Sequence, residues 1–197
     1  TSSYSPSAQK NRSIAGTMRY KLFYGKPLAD ADSQNPILVG DLGGTNTKLA
    51  LMAFHRDMPV ALCSLQCKTS SAPSILPLIQ LALDISRKRF KKVPSYACLG
   101  VAGMISPSNG SCRLTNATWS INTKEIREQT CLKDILLIND VVALGHSINL
   151  LSPNSLKDIL VFRPQRGKGK QLEQANKAVL AVGTGFGKCS LVFDKEK

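Results

Sequence analysis

The sequence predicts an α/β domain with a mixed sheet: three antiparallel strands, then alternating helices and strands. Three observations carry this. Apolar runs at 37–41, 47–54 and 59–66 follow one another with only short turns between them, as in strands joined by hairpins. The stretch 73–91 has its apolar residues at helical spacing. Further apolar runs at 96–102 and 134–139 then alternate with helical segments.

Taken in order, residues 1–36 read differently from the rest. No acidic residue precedes Asp30, whereas Lys10, Arg12, Arg19, Lys21 and Lys26 are basic and Ser recurs. This composition fits an organellar transit segment or its remnant. It equally fits a basic extension that is disordered. The strand at 37–41 enters Asp41-Leu42-Gly43-Gly44-Thr45-Asn46, and an apolar run leaves it. Gly43 and Gly44 permit φ > 0 and leave no side chain in the way of an anion. Asp41 stands at the mouth of the turn, where a carboxylate can act on a metal directly or through its waters. Thr45 and Asn46 add side-chain donors. The stretch reads either as a phosphate-binding hairpin or as a plain two-stranded turn.

The helix at 73–91 places Ile75, Leu76, Ile79, Ala82, Leu83 and Phe90 on one side. Pro77 fits a first turn, which moves the start toward Ser74. The Gly-, Ser-, Pro- and Asn-rich segment 103–111 reads as a loop. Asn122 and Glu125 form a capping-box-like start to a short helix through Glu128. Ile135-Leu136-Leu137-Ile138 delivers Asn139 and Asp140 to a strand end, and a helix is expected from Val141 to about Leu151. On the residues alone, Asp140 reads first as the N-cap of that helix. The strand 178–182 runs into Gly183-Thr184-Gly185-Phe186-Gly187, and strand character resumes at 191–193. Strand follows glycines here, so this is not the dinucleotide fingerprint, which needs a helix.

Length and composition bound the rest. The 197 residues suffice for a substantial core, and no apolar run reaches the ~18 residues of a membrane-spanning helix. The six cysteines form no CxxC pair, and neither His55 nor His146 lies near a cysteine pair, so a zinc site is not expected. Cys98 and Cys189 read as buried free thiols. The formal net charge is +13. Basic residues concentrate at Arg87–Lys92 and across 163–177. They read as solvated faces or as contacts for an anionic neighbour. Nucleic acid is not the favoured partner, because stacking aromatics are scarce there.

Four segments then stand in order: Val39-Gly40-Asp41-Leu42-Gly43-Gly44-Thr45-Asn46; Leu114-Thr115-Asn116 with Thr118-Trp119; Ile138-Asn139-Asp140; and Gly183-Thr184-Gly185-Phe186-Gly187. Together they resemble the bacterial-type glucokinase family, a branch of the sugar-kinase, Hsp70 and actin superfamily. The resemblance runs from about Ile37 to about Phe193. It implies a ribonuclease-H-like half-domain over 37–162, a basic loop at 163–177 and the start of a second, truncated half-domain at 178–197. It implies ATP-dependent phosphorylation of glucose or a related hexose, with ATP and Mg²⁺ as cofactors. Asp140 would then be the general base, and Asn116 and Asn139 would bind sugar hydroxyls. Asp41 would act on Mg²⁺ and the phosphates. Gly43, Gly44, Thr45, Gly183, Thr184, Gly185 and Gly187 would cradle ATP, with Asn46 beside them. Trp119 reads as core.

The sequence departs from that family at Phe186, where Leu is usual, and at Val141-Val142, where Phe follows the Asp. In the family a Glu-Gly-Gly-His sugar-binding run follows the second glycine hairpin. The 197-residue chain alone is therefore expected not to phosphorylate glucose, and a complementing C-terminal chain or a homo-oligomer is a candidate partner. The contrasting reading is a catalytically inactive, kinase-derived structural or RNA-associated subunit of a larger assembly. A cytoplasmic, mitochondrial or plastid setting suits either reading.

Overall fold

A computed structural model describes residues 9–14, 18–25, 35–55, 58–106, 108, 110–148, 176–183 and 185–193. The strands, in chain order, are β1 (Gln9–Ile14), β2 (Met18–Tyr24), β3 (Ile37–Leu42), β4 (Asn46–His55), β5 (Met58–Lys68) and β6 (Tyr96–Val101). They continue with β7 (Gly103–Ser106), β8 (Ser111–Leu114), β9 (Ser120–Asn122), β10 (Asp134–Asn139), β11 (Lys177–Val182) and β12 (Phe186–Leu191). The helices are α1 (Leu76–Ile85), α2 (Thr123–Glu128) and α3 (Asp140–Ser147). The chain divides into two compact units, residues 1–140 and 141–197.

In the first unit, β3, β4 and β5 pair antiparallel, as their alternation requires. β6 then joins β3 in parallel, and β10 joins β6 in parallel. Parallel neighbours need a crossover, and α1 lies in the chain between β5 and β6. The sheet order is β1-β2-β5-β4-β3-β6-β10. This is the mixed sheet that the apolar runs predict. One face carries the core: Leu38 and Leu42 of β3, Leu49 and Leu51 of β4, Leu65 of β5, and Leu99 and Val101 of β6 are all buried. They form one cluster with Leu78, Ile79, Ala82 and Leu83 of α1. Each buried Leu, Ile or Val among them contributes about 1.5–3 kcal/mol by leaving water.

The helix expected over 73–91 begins at Leu76, with Pro77 in its first turn, and passes into a π-helical turn at Ser86–Phe90. Lys91, in the left-handed region at φ 57°, ends it. Leu76 and Phe90 pack against the core only in part. Asn122 caps α2 as predicted, accepting from the Lys124 N–H at 3.0 Å and the Glu125 N–H at 3.4 Å.

Several expectations need correction. Residues 9–14 and 18–24 are not disordered but form β1 and β2, which extend the sheet beyond β5. Met18, Tyr20 and Leu22 of β2 are buried in the core, while Arg19 and Lys21 between them are exposed. Of the basic residues that suggested an extension, Arg19 and Lys21 are the outward half of β2. Gly25 closes it where a Cβ would strike the Ala61 carbonyl. Residues 103–111 are not one loop, since β7, β8 and β9 make a small antiparallel sheet. Gly110 turns that chain at φ +58°, and Cys112, Leu114 and Ile121 fill its buried side. Cys98 and Cys189 are free but only half-buried. By contrast Cys63 is buried, and loss of solvation pushes its thiol up to about 12.

The second unit contains Val141 to Ser147 of α3 and the hairpin β11–β12. β12 starts at Phe186, directly after the glycine turn, rather than at Leu191. Gly187 leaves room for Val141, and the Cys189 thiol donates to the Val141 carbonyl at 3.3 Å. The far end of the expected 141–151 helix and nearly all of the 163–177 basic loop lie outside the described residues.

Candidate active site

β3, β6 and β10 run parallel, so their carboxyl ends open on one edge of the sheet. Ligands of open α/β sheets bind at such edges. The register aligns Leu42 with Val101, and Val101 with Asn139. Asp41, the turn 43–45 and the Asn139-Asp140 pair are thereby brought to this edge by pairing alone.

Asp41 is exposed, and it pairs in register with Lys48 of β4 and Gly100 of β6. Its carboxyl is nonetheless raised above the usual range. Desolvation at the strand end is the largest cause, the Lys48 ammonium partly offsets it, and the Asp140 charge adds to it. The two carboxylates therefore share one field. Asp140 is the first residue of α3, so its charge also lies at a helix N-terminus, where the dipole favours an anion.

Gly43 and Gly44, which permit positive φ, do not adopt it; among the described glycines only Gly110 does. Space is what requires glycine at 44. A Cβ there would lie 2.5 Å from the Thr115 carbonyl oxygen and 3.1 Å from the Asn116 Cβ. Asn116 is thus packed directly against the glycine turn. It is exposed and adopts φ 60°, a conformation that Asn tolerates better than most residues. Backbone bonds tie its turn to the sheet: Thr115 N–H donates to Ala102 at 2.7 Å, and Ala102 N–H donates to Leu42 at 3.1 Å. Trp119 lies beneath, 2 % exposed, with Nε1–H donating to the Ala72 carbonyl at 2.9 Å. It is core, as its sequence context predicts.

The edge of the first unit thus assembles Asp41, Gly43, Gly44, Thr45, Asn46, Asn116, Asn139 and Asp140. Gly183, Gly185 and Gly187 belong to the second unit, where the Gly183 N–H donates to the Gly185 carbonyl at 2.9 Å. Thr184 lies outside the described residues. Sequence reading missed Thr47 and Thr69, two buried hydroxyls behind the first turn. The signal for Thr47 was a polar residue at an inward position of β4; nothing in the sequence pointed to Thr69.

The mixed sheet, with a glycine hairpin and an Asn-Asp pair at its carboxyl edge, is the α/β architecture that this chain shares with solved glucokinases of the actin-like fold. The family model described as Glucokinase matches residues 38–197, and the chain belongs to that family. It is 33% identical to the glucokinase of Agrobacterium fabrum over 159 residues, covering 80% of this chain and 42% of that relative. It is 27% identical to the glucokinase of Nostoc punctiforme, covering 79% of this chain and 42% of that one. Among solved structures, a glucokinase from an Antarctic psychrotroph superposes with a TM-score of 0.67 at 29% identity, over 83% of this chain and 48% of that chain. The glucokinase of Balamuthia mandrillaris in complex with glucose superposes with a TM-score of 0.58 at 25% identity, over 82% and 45%. The chain spans less than half the length of these relatives.

Proposed function

We propose that the protein phosphorylates glucose or a related hexose at the expense of ATP, and that the carboxyl edge of β3, β6 and β10 carries the chemistry. The observation that supports this most is the packing of Asn116 against Gly44, which sets a sugar-binding amide beside a phosphate-binding turn. A sugar hydroxyl is a poor nucleophile. Asp140 accepts its proton as the new P–O bond forms. Asn116 and Asn139 hold sugar hydroxyls, each amide offering a donor and an acceptor. The turn 43–45 and, in the second unit, the turn 183–187 hold the phosphates through their side chains Thr45, Asn46 and Thr184 and through backbone N–H groups other than those of Gly43 and Gly183, which bond within their turns.

Asp41 would hold Mg²⁺, directly or through water. Among the described residues no three His, Cys, Asp or Glu side chains gather as a metal cage. Asp41 and Asp140 share one electrostatic field. One or two carboxylates beside phosphates suit a cation that keeps most of its waters. When bound, the ion neutralises phosphate charge. No helix among the described residues is long and apolar enough to cross a membrane. Because Met18 to Tyr24 is a core strand, we place any organellar import signal upstream of it.

The test is a coupled assay for glucose 6-phosphate on the complete polypeptide. ATP-dependent turnover with glucose is expected. Turnover of no hexose, by a folded protein that fails to bind Mg-ATP, would contradict the reading.

A further inference from the structure

We propose that Thr69 is a positioning residue that sets the orientation of the phosphate-binding turn; this rests on the kinase reading above. Thr69 lies just past the end of β5, far from the turn in sequence, and is 1 % exposed. Its hydroxyl donates to the Gly43 carbonyl at 2.7 Å, and its backbone N–H donates to the Thr45 carbonyl at 2.9 Å. One residue thus grips the turn on both sides of Gly44.

The hydroxyl has a single proton. That proton is committed to Gly43, so in the 2.9 Å contact between the Thr47 and Thr69 hydroxyls, Thr47 is the donor. The relay runs from Thr47 through Thr69 to the Gly43 carbonyl. No peptide bond among the described residues is cis. In a trans peptide the carbonyl of one residue and the N–H of the next point to opposite sides. Fixing the Gly43 carbonyl toward Thr69 therefore turns the Gly44 N–H to the side away from Thr69. A phosphate oxygen needs a donor already oriented in this way, since preorganised donors cost no reordering when the charge arrives. The Asn116 turn closes on Gly44 from another side, where an added Cβ would come within 2.5 Å of the Thr115 oxygen. The Gly44 peptide is held between a buried hydroxyl relay and the sugar-binding turn.

The experiment measures Mg-ATP and glucose binding by calorimetry on the complete polypeptide and its variants. Thr69→Val keeps the shape and removes the hydroxyl; Mg-ATP should bind about tenfold more weakly while glucose affinity is unchanged. Thr69→Ser restores the hydroxyl and should recover the affinity. Thr47→Val removes the donor to Thr69 but leaves the bond from Thr69 to Gly43, so it should weaken Mg-ATP binding less than Thr69→Val does; a loss as large as that of Thr69→Val would overturn the assignment of the grip to Thr69. A purely structural role would not separate the two ligands in this way. If Thr69→Val does not fold, amide exchange on the unmodified protein decides: the Gly44 N–H should gain protection when Mg-ATP is added, and unchanged exchange there overturns the assignment. Equal Mg-ATP affinity in Thr69→Val, or a Thr69→Ser variant as weak as Thr69→Val, also overturns it. An unmodified protein that does not bind Mg-ATP overturns the kinase reading itself, and the role of Thr69 with it.

Discussion

Asp41 shows how one side chain's position decides its chemistry. Burial at the strand end and the neighbouring Asp140 charge raise its carboxyl, against the pull of Lys48. A cation needs the ionised form. Mg-ATP affinity should therefore be full above the raised pKa and fall as pH drops through it. The loss should begin at a higher pH than an ordinary carboxylate would give. For folding the sign is reversed, because the folded state holds this proton more tightly than the unfolded chain; the stability so gained is present at low pH and lost as pH rises through the folded value. Binding titrations across mildly acidic pH check this. Asp41→Asn should abolish that part of the pH dependence, and an unchanged profile in the variant would remove Asp41 from the metal's first contacts. Asp41 was legible in the sequence from its place before two glycines. The close approach of Gly44 to Asn116 was not, because it joins residues about seventy positions apart in sequence.

At the scale of elements, local signals carried furthest where the chain satisfies its own needs. The strands β3, β4 and β5 follow from alternation and short turns, and α2 from the Asn122 cap. β7, β8 and β9 escaped because Gly, Ser and Asn have low strand propensity, and only pairing makes them strands. β2 escaped for a different reason. It sits in a basic, acid-poor stretch, and its alternating Met18, Tyr20 and Leu22 become meaningful only beside β5. The family match begins at residue 38, so this strand lies outside it. Leu22 is 0% exposed, and Leu22→Ala should cost about 2–5 kcal/mol of stability. A denaturant titration measures this. An unchanged midpoint would mean that β2 is an ornament on the domain rather than part of its core.

On the scale of the molecule, the +13 charge invites a polyanion, yet the cluster at the end of α1 has work within the fold. Arg87 pairs with Asp84 at 2.8 Å, and the Arg89 guanidinium lies 4.2 Å from the centre of the Tyr24 ring. Such exposed contacts are worth little individually, but Arg89 does link the end of the π-helical turn to β2. The other face of the sheet also carries exposed apolar residues, among them Phe54, Tyr96 and Leu136. Sheets with parallel strands are usually covered on both faces. The carboxyl edge of β3, β6 and β10 carries the proposed chemistry, in which Asp140 accepts the sugar proton. The most direct measurement is the turnover of Asp140→Asn in the complete polypeptide, taken with its glucose affinity. The amide keeps the size of the side chain and its place at the start of α3 but is not a base. With Asp140 as the base, kcat falls by about three orders of magnitude or more while glucose binding changes by less than about threefold. A variant that keeps most of its turnover would contradict that role.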